Sequence, residues 1–147
     1  MIPLPPDFKE FLRLLNARQV EYLLIGGYAV GYYGYPRATA DMDIWIAINR
    51  HNAEKVVAVL REYGFDLPEL SPELFLEEDR MIRMGVPPLR LEVITSISGV
   101  RFEECYAERV PVMVGGVEAS LISLRHLKIN KKASGRFKDL NDLENLP

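Results

Sequence analysis

The sequence predicts an α/β (α+β) protein in which helices pack on a small mixed β-sheet and a helical segment forms the C-terminal end. Two observations predict this class: apolar or alternating stretches of strand length are separated by amphipathic helical stretches, and the C-terminal third has helical spacing. The composition, 48% hydrophobic and 27% charged, is that of an ordinary globular domain. A chain of 147 residues buries roughly 70% of its unfolded surface, which is enough for one core. We therefore expect one domain over 1–147, with an α/β core in 1–122 and a basic helical segment in 123–147.

The N-terminal half alternates helices and strands. Asp7 and Glu10 have the spacing of a capping box at the start of a helix with one apolar stripe. The elements predicted after it are a strand Val20–Ile25, a short helix Tyr28–Tyr33, a two-faced strand Asp41–Ile48 and an amphipathic helix Ala53–Tyr63. Gly26-Gly27 ends the first strand, and Gly64 ends the last helix.

The C-terminal half begins with an acidic stretch, Asp66–Arg80, for which we predict a loop or a short exposed helix. The elements predicted after it are a strand Leu89–Thr95, a hairpin from Val110 to Ala119, a helix capped by Ser123 and a last short helix with Leu140, Leu143 and Leu146. Gly115-Gly116 supplies the positive φ angles of the hairpin turn.

The net charge of −3 combines two segments of opposite sign. Seven acids and one base lie between Glu62 and Arg80, whereas six bases and two acids lie in 125–142. The mildly acidic total excludes a protein that coats nucleic acid through a general positive field, so any contact with nucleic acid must be local.

Several classes of site and location are excluded by residue counts and spacing. Cys105 is the only cysteine, which rules out a disulfide framework and a thiolate zinc cage. His51 and His126 are too few for a histidine zinc site, and no Gly-Lys-Ser/Thr forms a P-loop. We see no signal peptide and no apolar run long enough for a bilayer, and so expect a cytoplasmic protein with no membrane partner.

Two acids provide the first candidate site. On a strand, Asp41 and Asp43 point to the same face, with Cα atoms roughly 6.6 Å apart. Like charges so close repel unless a cation lies between them, and Mg²⁺ prefers carboxylate and phosphate oxygens. Gly26-Gly27 precedes these acids at the start of a helix, where backbone N–H groups can approach a phosphate unhindered by a Cβ. The alternative for Asp41-x-Asp43 is a turn at the start of the strand.

Glu92 is the candidate third acid. It is the single acid in the predicted strand Leu89–Thr95, and if that strand pairs beside Asp41–Ile48 the three acids converge. Two-metal phosphoryl transfer uses such a third carboxylate to hold the second ion and help activate the attacking hydroxyl. The alternative is an edge-strand charge that faces water.

These motifs resemble the signature of the polymerase-β-type nucleotidyltransferase superfamily: an apolar residue, Gly, Gly or Ser, a spacer, then Asp-apolar-Asp-apolar. The short length, the Gly-Gly variant and the Arg136-x-Lys138-Asp139-x-x-Asp142 tail are similar to the minimal and AbiEii-toxin-like prokaryotic members. The resemblance implies a nucleotidyltransferase fold, with Gly26 and Gly27 on the triphosphate. Asp41, Asp43 and Glu92 would be both the catalytic acids and the ligands of a two-Mg²⁺ site. Two departures are Gly27 in place of a serine and Glu92 where Asp is commoner.

Other polar residues are candidates for binding the nucleotide. Arg37 and Thr39 precede the acids and can reach phosphate, although a solvated loop is the alternative. Lys128 and Lys132 share one side of a predicted helix with Lys131 and suit a triphosphate or an RNA backbone, the alternative being a solvated face.

Together these features predict transfer of a nucleoside monophosphate from an NTP to a hydroxyl on RNA such as tRNA, on a protein or on a small molecule. The family resemblance adds a toxin of a toxin–antitoxin pair, with an antitoxin-like protein partner. The alternative is a catalytically weak or inactive member of the same fold that binds a nucleotide or a protein partner without turnover.

Overall fold

A computed structural model of the protein describes residues 4–36, 39, 41–86 and 90–147. The strands in these ranges are β1 Tyr22–Ile25, β2 Asp41–Ile46, β3 Met81–Met84, β4 Arg90–Ile94, β5 Val110–Val114 and β6 Val117–Leu121. They form one sheet in the order β3-β4-β2-β1-β6-β5. The pairs β2–β4 and β1–β6 are parallel and the other three pairs are antiparallel, so the predicted mixed sheet is confirmed.

Helices precede, connect and follow these strands. They are α1 Pro6–Ala17, α2 Gly26–Tyr32, α3 Arg50–Tyr63, α4 Phe102–Ala107, α5 Leu124–Ser134 and α6 Phe137–Asn145, with a 3₁₀ turn at Pro72–Phe75. Among the described residues, no helix has the length and apolar character needed to cross a bilayer.

Helix α1 begins one residue before its predicted cap, Asp7. Pro5 is the N-cap and Pro6 the first helical residue, where the missing N–H of proline has no intrahelical partner to lose. The predicted apolar stripe of α1 is buried in the core and consists of Phe8, Phe11, Leu12 and Leu15. Helix α1 therefore covers the sheet as expected, but proline rather than Asp7 sets its start.

Two elements, β3 and α4, are absent from the sequence prediction. Strand β3 pairs with β4 at the edge of the sheet, and of its four residues only Met84 is buried. Helix α4 has six residues, of which only Cys105 is buried. Elements this short, with one buried side chain each, produce no periodic apolar pattern that sequence reasoning can detect.

The register of β2 positions the candidate acids. Asp43 lies opposite Ile25 of β1 on one side and opposite Glu92 of β4 on the other. Asp41, two residues earlier, lies opposite Arg90. The strand that carries Glu92 therefore pairs beside β2 as expected, which places the three acids on one face of the sheet.

Buried charges join α5 to α6. The Lys131 ammonium lies 3.0 Å from Asp139 Oδ1 and 3.0 Å from Asp142 Oδ2, and all three side chains are buried. Asp139 also accepts hydrogen bonds from Ser134 Oγ at 2.6 Å and Arg136 Nε at 2.7 Å. Lys131 is thus a structural residue rather than part of the basic surface that the sequence suggested.

We expect Asp139→Asn to lower the free energy of unfolding by about 2 kcal/mol at pH 7. Burial opposes ionisation of Asp139, but hydrogen bonds from Arg136, Ser134 and Lys131 outweigh it and lower its pKa to about 2. Because the folded-state pKa lies below the unfolded value of 3.8, this stabilisation exists above pH 4 and disappears as the pH falls towards 2. Urea unfolding at pH 7 and at pH 2.5 measures both effects; equal losses of stability in wild type and variant on acidification would contradict the prediction.

Candidate active site

The three candidate acids line a cavity of about 540 Å³ between the sheet and the C-terminal helices. The acidic side chains lining it are Asp41, Asp43, Glu92 and Asp139, and the basic ones are Arg83, Arg90, Lys131, Arg136 and Lys138. Among the described residues the cavity therefore combines a carboxylate cluster with an excess of cations. Such a combination suits a polyanion that arrives with a divalent metal ion.

Asp43 is the central acid of this cavity. Its Oδ1 atom is buried, and no group among the described residues hydrogen-bonds to it. Burial, contact with the Glu92 carboxyl group and the negative charges of Glu92 and Asp41 raise the pKa of Asp43 to about 8. The ionised form of Asp43 is therefore costly unless a cation comes to it.

Arginines already neutralise the other two acids. Arg90 donates from Nε and Nη2 to the two carboxylate oxygens of Asp41, both at 2.9 Å. Arg83 Nε donates to Glu92 Oε1 at 2.8 Å, and Arg90 Nη2 lies 3.9 Å from the same oxygen. Sequence reasoning missed both arginines, although Arg90 stands two residues before Glu92 and so shares its face of β4.

The donor set suits Mg²⁺ through its carboxylate oxygens, and the orphaned Oδ1 of Asp43 is the atom that most needs a cation. Nevertheless, within the described ranges no group of three or more Asp, Glu, His or Cys side chains stands ready to hold a metal ion. Both oxygens of one prospective ligand, Asp41, are hydrogen-bonded to Arg90.

Gly26 is in close contact with Asp43. It begins α2 directly after β1 and has a φ of +69°. A Cβ at this position would lie 2.0 Å from Asp43 Oδ2, which is far shorter than a van der Waals contact. Glycine is thus needed both for the backbone conformation and for room beside the acid.

Gly27 has a separate steric reason to be glycine. A Cβ there would lie 2.8 Å from both Cβ and Oγ1 of Thr39. The serine found in the commoner form of the family signature therefore does not fit in this chain unless Thr39 moves. Thr39 itself lies at the cavity, where its hydroxyl donates to the carbonyl oxygen of Asp41 at 3.2 Å.

We expect Gly27→Ser to destabilise the protein by about 1–3 kcal/mol, because the added side chain overlaps Thr39. Thr39→Gly in the same chain removes the overlapping atoms and should recover most of that loss. A double-mutant cycle in urea unfolding measures the coupling between the two positions. Additive effects of the two substitutions would contradict the steric explanation.

The remaining predicted nucleotide-binding residues are Arg37, Lys128 and Lys132. Arg37 lies outside the described residues. Lys128 donates to the carbonyl oxygen of Pro147, Lys132 is exposed, and neither lines the cavity. The side of α5 that packs inwards carries Leu127 and Lys131, so the two other lysines face elsewhere.

Cationic side chains from the same tail do line the cavity, namely Arg136 and Lys138. Both belong to the tail motif quoted above. In the sequence both closely precede Asp139, and that spacing is the signal that could have identified them. In the structure Asp139 pairs with Lys131 and so anchors α6 against α5. The tail therefore supplies positive charge to the site from Lys131 on α5 and from Arg136 and Lys138 at the start of α6.

Comparison with known proteins identifies the fold. No family model and no curated protein matches the sequence. Among solved structures, a Thermotoga maritima protein assigned as a nucleotidyltransferase superposes with a TM-score of 0.60 at 13% identity, covering 93% of this chain and 88% of that one. An antigenic nucleotidyltransferase-like protein from Paracoccidioides brasiliensis gives 0.54 at 18% identity, covering 97% and 77%.

The lincosamide antibiotic adenylyltransferase LnuA, solved with lincomycin bound, also superposes on the chain. Its TM-score is 0.60 at 15% identity, and the match covers 97% of this chain and 96% of LnuA. At these identities the likeness concerns the fold. The protein thus has the nucleotidyltransferase fold, as the family resemblance of its motifs implied.

Proposed function

We propose that the protein is a Mg²⁺-dependent nucleotidyltransferase that moves a nucleoside monophosphate from an NTP to a hydroxyl group and releases pyrophosphate. One observation carries the proposal: the parallel register of β2 and β4 sets Asp43 opposite Glu92 in a cavity lined by five cationic side chains. The nucleotidyltransferase fold of the three structural neighbours supports it.

Asp41, Asp43 and Glu92 would hold Mg²⁺, with Asp43 Oδ1 as the first ligand because that atom is buried without a partner. When bound, the metal would neutralise charge that develops on the phosphates. Arg136, Lys138 and the backbone N–H groups at Gly26 and Gly27 would bind the triphosphate oxygens. We propose two Mg²⁺ ions, the number that the family resemblance implies.

The chemical step forms a bond between the acceptor oxygen and the α-phosphorus and breaks the bond between that phosphorus and the pyrophosphate oxygen. The acceptor hydroxyl loses its proton in the process. Glu92 would take up this proton, since its side chain is buried next to Asp43 on the sheet face that lines the cavity. The cationic lining would stabilise the negative charge of the transition state and of the departing pyrophosphate.

The acceptor has room in an adjoining cavity of about 600 Å³, which shares Ser96 and Ile97 with the acid-lined one. Trp45 and Phe102 line this second cavity and pack edge to face at 5.2 Å. A volume of this size accommodates a small organic molecule. LnuA, which shares this fold, is an antibiotic adenylyltransferase. We therefore take a small-molecule hydroxyl as the acceptor to test first, before RNA or protein.

Mg²⁺-dependent NTP binding tests the proposal directly. Isothermal titration of each of the four NTPs with Mg²⁺ should show binding to the wild type and none to the Asp41→Ala/Asp43→Ala double variant. Asp66→Ala is a suitable control, because the Asp66 side chain is 83% exposed and lies outside the cavity lining. Equal binding in wild type and double variant would contradict the proposal.

A second candidate function is a nucleotide- or partner-binding module without turnover. The observation in its favour is that Asp41 and Glu92 already pair with Arg90 and Arg83. This module would bind NTP but transfer no label to any acceptor. We keep the toxin role and the antitoxin-like partner, which the family resemblance implied, as part of the proposal. Affinity capture from the native host tests them and should recover a small protein partner in stoichiometric amount.

A further inference from the structure

We infer that Arg90 is a phosphate-binding residue that Asp41 holds until metal and nucleotide arrive together, so that Mg²⁺ and NTP bind with positive cooperativity. This inference rests on the proposed function and extends it to the order and energetics of binding. The structural basis is the position of Arg90 at the cavity and its bidentate pair with a prospective metal ligand.

The Arg90–Asp41 pair is a strong one. Both nitrogens lie 2.9 Å from their oxygens, and the two side chains are only 29% and 24% exposed. Bidentate, partly buried pairs of this kind are stronger and more directional than ordinary surface ion pairs. A metal ion that binds Asp41 must therefore displace a well-placed guanidinium, which lowers metal affinity in the absence of nucleotide.

Charge balance leads to the same result. Three acids, Asp41, Asp43 and Glu92, face two directly paired arginines, Arg83 and Arg90. Adding a divalent cation alone gives the cluster a net positive charge, which Lys138 at the same cavity increases. An NTP brings several negative charges, and the excess is then compensated.

A triphosphate also offers Arg90 a replacement partner. The planar guanidinium that forms two parallel hydrogen bonds with a carboxylate can form the same pair with two phosphate oxygens. Transfer of Arg90 from Asp41 to phosphate frees both Asp41 oxygens for the metal. By linkage, the factor by which NTP raises metal affinity must equal the factor by which metal raises NTP affinity.

Arg83 provides a contrast within the same cluster. Its side chain is 57% exposed and donates from Nε to one oxygen of Glu92. Glu92 is buried, but this pair has one hydrogen bond to an exposed arginine, so it constrains Arg83 less than the two bonds to Asp41 constrain Arg90. We therefore assign the coupling to Arg90 rather than to Arg83.

The test measures binding of Mn²⁺ alone by electron paramagnetic resonance and binding of each NTP with and without Mg²⁺ by titration calorimetry. In Arg90→Met we expect Mn²⁺ alone to bind about tenfold more tightly and the preferred NTP with Mg²⁺ about tenfold more weakly. Arg90→Lys keeps the charge without the planar fork and should shift both affinities in the same directions by smaller factors.

Arg109→Met is the matched control, because the Arg109 guanidinium lies over the Tyr106 ring and does not line the cavity. Thermal melts establish that each variant is folded, and if Arg90→Met is not, Arg90→Lys decides the result. Unchanged or weaker Mn²⁺ binding by Arg90→Met, or unchanged NTP binding by it, would overturn the inference. The proposed function would still stand if NTP binding by the wild type depends on Asp43. A wild type that binds neither metal nor NTP would overturn both.

Discussion

Asp43→Asn is expected to reduce nucleotide transfer by at least about a thousandfold while making the metal-free protein more stable at alkaline pH. The two effects have one cause: Asp43 is the proposed metal ligand, its buried Oδ1 lacks a partner among the described residues, and without a metal its negative charge is unfavourable. Asparagine has nearly the same shape but no charge. A loss of activity accompanied by a gain of stability distinguishes this from the ordinary damage of a core substitution.

The sign of the stability effect follows from the pKa of Asp43, which burial, Glu92 and Asp41 raise to about 8. A group with a raised folded-state pKa contributes stability below its unfolded value of 3.8, and the contribution is lost as the pH rises through 8. At pH 9 the free energy of unfolding of the variant should therefore exceed that of the wild type by on the order of 1 kcal/mol.

Thermal unfolding at pH 6 and pH 9, with and without Mg²⁺, measures the effect of Asp43→Asn. Mg²⁺ should stabilise the wild type and leave the variant unchanged, since a metal that binds only the folded state raises its stability. Asp66→Asn, at an exposed position, serves as the control. A variant that is less stable than wild type at pH 9, or that still responds to Mg²⁺, would contradict the prediction.

Gly26→Ala is expected to have the second largest effect, a loss of about 2–4 kcal/mol in the free energy of unfolding together with loss of nucleotide binding. The backbone at Gly26 has a φ of +69°, and an added Cβ would lie 2.0 Å from Asp43 Oδ2. The strain of the left-handed conformation and the steric overlap both contribute, and the overlap displaces the central acid.

Gly116→Ala separates these two contributions. Gly116 also has a positive φ, +83°, but a Cβ there would meet no atom within 4 Å. Its replacement should cost about 1 kcal/mol, the strain alone. In an Asp43→Ala background the cost of Gly26→Ala should fall towards that of Gly116→Ala. Equal costs of the two glycine substitutions in the wild-type background would show that Asp43 does not restrict Gly26.

The convergence of the acids could be predicted from the sequence because it depends on alternation. Asp41, Asp43 and Glu92 have fixed faces once their segments are strands, and only the pairing of two strands had to be guessed. The arginine partners could not be predicted, since Arg90 reaches Asp41 only through the register of β2 and β4. Arg83 belongs to a short edge strand with no apolar pattern.

The tail shows the opposite case, in which composition was informative but helical geometry was not. Its basic character suggested phosphate binding by Lys128 and Lys132, yet the cavity is lined by Lys131, Arg136 and Lys138. A lysine on a predicted helix is expected to be exposed, but Lys131 is buried because Asp139 and Asp142 of α6 pair with it. Such pairs depend on how two helices pack and leave no mark on either helix alone.

The most direct test of the account is the fate of the two labelled phosphates of an NTP. The wild type is incubated with Mg²⁺, with each NTP in turn, and with a mixture of tRNA, host proteins and small hydroxyl compounds. It should transfer label from the α-phosphate to an acceptor. Label at the γ-phosphate should appear only in pyrophosphate, and Asp43→Asn should yield neither product. Label at the γ-phosphate on an acceptor, or transfer that survives Asp43→Asn, would contradict the assignment of this cavity as a nucleotidyltransferase site.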